Sequence, residues 1–217
     1  MRRCFFGIFV TSCRLRTTFR HPHMPPKIDH PALVDLLRRA YSGERAAAFA
    51  YIGHAGSLRR REIEREAVRQ IEEDEWEHRC QVRRLMDQYE IDPSRWYELK
   101  FYLIGKIVGL SCYVIGRFMP YFFAGKLESG NVCEYFIMMH RFHELDITDH
   151  DEVLHEMGVK EKEHEVFFQK MIESEPWLPL FERIFHWGPD TIANDVDLEA
   201  LKPVPESKSY CRTRGKG

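Results

Sequence analysis

The chain has 217 residues, enough for one domain with a substantial core, and its 32 Lys and Arg residues are balanced by 34 Asp and Glu residues. A formal net charge of -2 and a pI near 6.6 argue against a nucleic-acid-binding protein, because such proteins concentrate positive charge. The six cysteines are scattered without a C-x-x-C pair, which excludes a zinc ribbon or a rubredoxin-like iron site and favours reduced thiols in the cytosol.

The first 28 residues differ from the rest in charge. They carry basic residues but no acidic residue, around the short apolar run C-F-F-G-I-F-V. A transit peptide, an imperfect secretory signal and an upstream extension of a protein that begins at Met24 all have this composition. We favour the extension, because the apolar run is short and no clear cleavage site follows it. Residues 1–28 are therefore predicted to lie outside the fold, residues 29–188 to form one domain, and residues 189–217 to form a disordered tail.

Four helices are predicted from apolar periodicity. The first runs from Asp29 to about Ser57 and the second from about Leu58 to Tyr89, and their short connection makes them antiparallel neighbours. The third is predicted from about Ser129 to Glu144 and the fourth from about Asp149 to Glu173. An aromatic amphipathic segment follows at residues 177–188, where it caps the core or contacts a membrane surface or a second subunit.

Residues 96–127, between the second and third helices, are the most hydrophobic part of the chain. Their length alone would cross a bilayer, but Lys106, Arg117 and Pro120 interrupt the apolar run. We interpret the segment as a buried or interfacial helical crossover, with a transmembrane span as the alternative.

Two of the predicted helices place a carboxylate and an imidazole within an apolar stripe. Glu75 and His78 lie on such a stripe in the second helix, and Glu161 and His164 occupy the same register in the fourth. Spacings that alternate between three and four put each set on one helix face, which should point into the core. A buried carboxylate needs a partner, and no Lys or Arg falls on either stripe. A metal ion is the simplest partner.

The first and third helices are expected to supply one carboxylate each, Glu44 and Glu134. Residues equidistant from the turn of an antiparallel hairpin lie at one level, and the midpoints of Glu44 and Glu75 and of Glu134 and Glu161 fall at or near the two turns. Glu128 is the rival ligand, and it is set aside because L-E-S-G-N looks like the start of the third helix.

Four other residues near these positions are candidates for roles around the site. Tyr51, two turns from Glu44 on the same face, is either a hydrogen-bond or electron donor to the site or a plain core tyrosine. His54, His140 and His143 are interpreted as outer or surface histidines rather than ligands.

The predicted ligands are Glu44, Glu75, His78, Glu134, Glu161 and His164. Their order, Glu, Glu-x-x-His, Glu, Glu-x-x-His, is that of ferritin-like di-iron and di-manganese carboxylate bundles. Four carboxylates balance two divalent cations, and oxygen-rich ligation with two imidazoles suits iron or manganese. We predict two Fe ions, with Mn as the alternative, in an all-α, ferritin-like four-helix bundle of two helical hairpins with a hydrophobic helical crossover between helices 2 and 3.

On these residues the chain resembles the demethoxyubiquinone hydroxylase family. The features that carry the resemblance are G-E-R-A-A-A-F-A-Y, the pairs E-W-E-H and E-K-E-H, and the hydrophobic insert, over roughly residues 30–175. The resemblance implies a di-iron monooxygenase that hydroxylates the ring of a ubiquinone precursor, with the six residues above as metal ligands. The chain departs from the family after Glu134, where Met138 and Met139 replace a histidine pair.

The resemblance also implies partners and a location. Dioxygen and a quinone-like hydrophobic substrate are expected, and an external reductant or reductase, because the chain has no nucleotide-binding signature. We expect a cytoplasmic protein, peripheral on the inner membrane, that contacts the membrane surface or forms a homo-oligomer. A ferroxidase or peroxide-reducing protein without an organic substrate is the alternative function, and a non-catalytic scaffold that keeps the metal for stability is another.

Overall fold

The computed structural model describes residues 27–188, which form six α-helices and no β-strand. The helices are α1 (Pro31–Ser57), α2 (Glu62–Gln88), α3 (Arg95–Ser111), α4 (Phe118–His143), α5 (Asp151–Ile172) and α6 (Leu178–Phe185). The predicted all-α class is confirmed for this part of the chain. The predicted extension and tail lie outside the described residues, except for Lys27 and Ile28. Ile28 packs in the core, although it was predicted to lie outside the fold.

Two antiparallel hairpins form the bundle, α1 with α2 and α4 with α5. The start of α1 is set locally, because the His30 side chain accepts a hydrogen bond from the backbone N–H of Leu33 at 3.1 Å and Pro31 needs no N–H partner in the first turn. Ser94 caps α3 in the same way, accepting from the backbone N–H of Tyr97 at 3.3 Å.

The third helix of the bundle, α4, begins at Phe118, so the predicted start at Ser129 is wrong. Pro120 suggested an interruption, but it lies in the first turn of α4, where backbone N–H groups have no partner within the helix. The predicted crossover is therefore α3 and the first turns of α4. This change puts Glu128 inside a helix.

The crossover helix α3 packs along α1. A Cβ added at Gly105 would lie 2.6 Å from the carbonyl oxygen of Ala46, and one at Gly109 would lie 2.7 Å from that of Phe49, so only glycine permits this approach. The opposite face of α3 exposes the large apolar side chains of Leu103, Ile107 and Leu110, and Val114 is exposed just after the helix. None of the helices within residues 27–188 is both long and apolar enough to cross a membrane.

Two apolar clusters fill the bundle, one on either side of a buried polar layer. The first contains Leu37, Met86 and Met139, and the second contains Tyr51, Phe122 and Phe168. The layer between them consists of residues that are at most 5% exposed: Glu44, Glu75, His78, Glu128, Glu161 and His164. The fold therefore surrounds six ionisable side chains with hydrocarbon.

Candidate metal centre

Each helix of the two hairpins contributes to the polar layer from a stripe of residues spaced alternately by three and four. In α1 the stripe is Leu33, Leu37, Ala40, Glu44, Ala47, Tyr51, and in α4 it is Tyr121, Gly125, Glu128, Val132, Tyr135, Met139. The stripes of α2 and α5 carry the two Glu-x-x-His pairs. Because all four stripes face inward, the carboxylates and imidazoles meet at the bundle axis.

The six side chains form two overlapping groups of potential metal ligands. Glu44, Glu75, His78 and Glu161 make one group, and Glu75, Glu128, Glu161 and His164 make the other, with the candidate ligand atoms of each group within 4.8 Å of one another. Glu75 and Glu161 belong to both groups. A carboxylate has two oxygens, so each of these glutamates can serve two neighbouring cations.

Both histidines turn Nδ1 toward the shared glutamates. His78 Nδ1 lies 2.9 Å from Oε1 of Glu161, and His164 Nδ1 lies 3.4 Å from Oε1 of Glu75 and 3.6 Å from Oε2 of Glu161. Neither Nδ1 has a hydrogen-bond partner among the described residues. The same is true of six buried carboxylate oxygens: both oxygens of Glu75, both of Glu161, Oε2 of Glu44 and Oε1 of Glu128. Buried polar atoms are rarely left unpaired, so this set of donor atoms fits metal ions.

The electrostatics of the six clustered side chains also favour bound cations. Burial, followed by the charges of neighbouring carboxylates, raises the pKa of Glu44 and of Glu128 well above the ordinary value. Burial also works against ionisation of Glu161, but the positive charge of the adjacent His78 imidazolium holds its pKa below the ordinary value. Raised carboxyl pKa values mark a site where negative charge is crowded, and divalent cations would balance that charge.

Outer hydrogen bonds orient three of the cluster residues. Nε2 of His164 donates to Oδ2 of Asp74 at 3.0 Å, which leaves Nδ1 of the same ring free to bind a metal. The amide of Asn131 donates to Oε2 of Glu128 at 2.9 Å. The Tyr135 hydroxyl donates to Oε1 of Glu44.

Five of the six predicted ligands meet in the cluster, and Glu134 does not. It is replaced by Glu128, which lies on the inward stripe of α4, whereas Glu134 lies off that stripe and is half-buried on the wall of a groove toward Arg39. The comparison of midpoints with the hairpin turns fails here, because it matches the levels of two residues along their helices but ignores which way each side chain points. The alternating stripe through Tyr121, Glu128 and Tyr135 is the sequence signal that would have placed Glu128 in the cluster.

The other candidates from the sequence lie apart from the ligand groups. The Tyr51 ring stacks on Phe168 with 5.6 Å between centroids, and its hydroxyl has no hydrogen-bond partner in the described range. His54 is buried against Tyr121, and burial lowers its pKa to about 4. His140 and His143 pair with Glu144 and Asp151. Tyr135, Asn131 and Asp74 lie next to the candidate ligands instead. Tyr135 is on the inward stripe of α4, but no spacing rule singles out Asn131 or Asp74.

A groove between α1, α3 and α4 leads to the cluster. It has a volume of about 220 Å³, and Glu44 forms part of its wall. Ala46, Ile104, Val108 and Leu127 make most of the wall apolar, and Arg39, Asn131 and Glu134 are polar wall residues.

Comparison of the chain with models of protein families, with curated proteins and with solved structures gave no match. The geometry of the six clustered residues and of the groove is therefore the basis of the functional proposal.

Proposed function

We propose that this protein is a ferritin-like di-iron oxidoreductase that activates dioxygen and hydroxylates a hydrophobic ring, as the resemblance to the demethoxyubiquinone hydroxylases implies. The observation that carries the proposal is the pair of four-residue groups that share Glu75 and Glu161. Glu44 and His78 complete one iron site, and Glu128 and His164 complete the other. Oxygen-rich ligation with one imidazole per site suits Fe(II), and Mn(II) is the alternative.

When bound, the two metal ions would act as Lewis acids toward dioxygen and would pass on to it the two electrons that an external reductant provides. Hydroxylation inserts one oxygen atom into a ring C–H bond and releases the other as water, with two electrons and two protons from an external reductant. The protein's own groups orient the ligands and exclude water. Asp74 fixes the His164 ring, Tyr135 and Asn131 hold Glu44 and Glu128, and the two apolar clusters keep the layer dry.

The groove beside Glu44 favours an organic substrate over iron oxidation alone. Its volume of about 220 Å³ is below the roughly 300–1,000 Å³ of sites for drug-sized ligands, so it suits a single substituted ring. Its apolar wall would receive the ring, and Glu44 would place that ring beside one metal. A protein that only oxidises Fe(II) or reduces peroxide needs no such groove.

The exposed face of α3 supports substrate delivery from a lipid phase. On α3, Ile107 is 67% exposed and Leu110 70%, and Val114, just after the helix, is 81% exposed, while the neighbouring Ile104 and Val108 line the groove. A helix with an exposed apolar face next to a substrate groove is suited to lie against a membrane surface. Under this proposal, a lipid-soluble substrate enters the groove along α3.

The test is to load the full-length protein anaerobically with Fe(II) and then admit oxygen, with and without a short-chain quinone precursor and a chemical reductant. Iron per chain, oxygen consumed and hydroxylated product are measured. Two irons per chain with oxygen use coupled to product are expected. Two irons that oxidise without any product would move the function to the ferroxidase or peroxidase class. Fewer than two would overturn the di-iron centre.

A further inference from the structure

A second groove lies at the end of the bundle where the α1–α2 turn meets the α3–α4 turn. Its volume is about 560 Å³. Residues 57–61 form one side, and Cys112, Tyr113, Gly116 and Arg117 form the other. None of these residues belongs to the metal cluster or to the groove beside Glu44.

The lining of this groove is strongly basic. It is lined by Arg59, Arg60, Arg61 and Arg117, and none of the lining residues within the described part of the chain is acidic. Glu64 accepts from Arg61 at 2.7 Å and from Arg117 at 3.3 Å, and Arg117 also donates to Glu175 at 2.6 Å. Arg59 and Arg60 are exposed and take part in none of the ion pairs found within residues 27–188. The groove therefore has positive charge in excess of its carboxylate partners.

A hydroxyl group and two helix ends add to the basic lining. A Cβ at Gly56 would lie 2.1 Å from the Tyr113 hydroxyl, so the glycine lets this donor lie against the end of α1. The helices α2 and α4 both begin at the groove, after Arg61 and Arg117, and neither start has a side-chain cap. The positive ends of two helix dipoles thus reinforce the arginines.

We propose that the basic groove binds a phosphate group. Guanidinium groups match phosphate oxygens with paired hydrogen bonds, and Arg59 and Arg60 are not engaged by a carboxylate. The phosphate comes either from an anionic lipid headgroup or from a free phosphate compound. The exposed Leu110 and Val114 lie on either side of Tyr113 in the chain, where they would meet the lipid. The site is independent of the proposed metal chemistry.

The experiment compares the full-length protein with two double variants. R59Q/R60Q removes two charges from the groove, and R69Q/R84Q removes two from arginines that are 55% and 61% exposed on α2. Each protein is titrated calorimetrically with inorganic pyrophosphate. Each is also cosedimented with vesicles of phosphatidylcholine alone and of phosphatidylcholine mixed with phosphatidylglycerol. Loss of two charge-assisted contacts should weaken binding about tenfold or more in R59Q/R60Q, with less than a twofold change in R69Q/R84Q.

Each outcome decides the proposal. Binding of free pyrophosphate that R59Q/R60Q alone weakens supports the site and assigns it to a soluble phosphate compound. Binding only to vesicles that contain phosphatidylglycerol, weakened by R59Q/R60Q alone, supports the site and assigns it to a lipid headgroup. Equal weakening by both double variants would mean unspecific attraction of charge and overturn the proposal. So would the absence of binding to either probe.

Discussion

Asp74 of α2 and His164 of α5 join the two hairpins through a hydrogen bond of 3.0 Å between Oδ2 and Nε2. Asp74 directly precedes the first Glu-x-x-His pair. The residue that directly precedes the second pair is Lys160, which forms an ion pair with Glu163 at 2.6 Å instead. The two histidines of the cluster are therefore supported differently. This asymmetry predicts that the two proposed metal positions differ in affinity.

Asp74→Asn should weaken metal binding at the position of His164, because an amide no longer accepts the imidazole N–H as well as a carboxylate does. Loss of such an outer partner typically costs about 10–100-fold in affinity. Competitive titration with a metal-sensitive dye measures the two affinities separately. Glu73→Gln, on the exposed side of the same helix, is the control. If both metal affinities of Asp74→Asn equal those of the unchanged protein, Asp74 does not orient His164 for metal binding.

Glu128→Gln and Glu134→Gln test which glutamate of α4 binds metal, Glu128 as the structure indicates or Glu134 as the sequence predicted. Glu128→Gln should lower the metal content from two ions per chain to about one, because it removes a negatively charged ligand from one group. Glu134→Gln should keep both ions, since Glu134 lies outside both groups. Elemental analysis after removal of loosely bound metal provides the measurement. The reverse result would restore Glu134 as the ligand.

Val108→Trp should block the groove beside Glu44 without affecting the metal ligands. Val108 lines that groove, and Leu110, two residues further along α3, does not. We expect Val108→Trp to raise the KM for a ring substrate by about tenfold or more, and Leu110→Trp to leave it unchanged. Both variants should bind two metal ions. Equal kinetics for the two variants would exclude this groove as the substrate site.

Gly105→Ala should destabilise the contact between α3 and α1. Its Cβ would lie 2.6 Å from a backbone oxygen of α1, which cannot move as a flexible side chain would, so a loss of about 1–3 kcal/mol is expected. Gly43→Ala in α1 is the matched control, because nothing lies within 4 Å of its Cβ. That change should stabilise the helix by up to about 1 kcal/mol. Urea unfolding of the two variants gives the comparison.

Glu98 should make the fold sensitive to acid. Burial alone would raise the pKa of Glu98, but hydrogen bonds from Arg79 and Ser42, together with the charges of Arg79 and Arg45, hold it below the ordinary value. A carboxylate whose pKa is depressed on folding stabilises the protein above its unfolded-state pKa of about 4.3. This stabilisation disappears as the pH falls through the lower folded-state value.

Glu98→Gln should therefore cost about 1–2 kcal/mol of unfolding free energy at pH 7 and progressively less below about pH 4. Denaturant unfolding at a series of pH values measures both differences. Glu66→Gln is the control, since Glu66 is 77% exposed and its ion pair with Arg69 is 3.6 Å long. A cost that stays constant down to pH 3 would show that the charge of Glu98 is not what stabilises the α3 contact.

The sequence alone determined the features that depend on one helix at a time. An alternating spacing of three and four identifies a buried face, and equal distance from a turn indicates a common level. Together they are enough to place five residues in one layer: Glu44, Glu75, His78, Glu161 and His164. The same rule applied to α4 selects Glu128, but the predicted start at Ser129 excluded that residue.

Tertiary structure decided which side chains meet between helices. The hydrogen bonds of Asp74 with His164 and of Tyr135 with Glu44 join residues 90 and 91 positions apart in the chain. Two grooves also arise where α3 and the turns at its ends pack against other elements. Periodicity shows which face of a helix is buried, but it does not show the distance or rotation between packed helices. Those depend on the sizes of all the side chains between them.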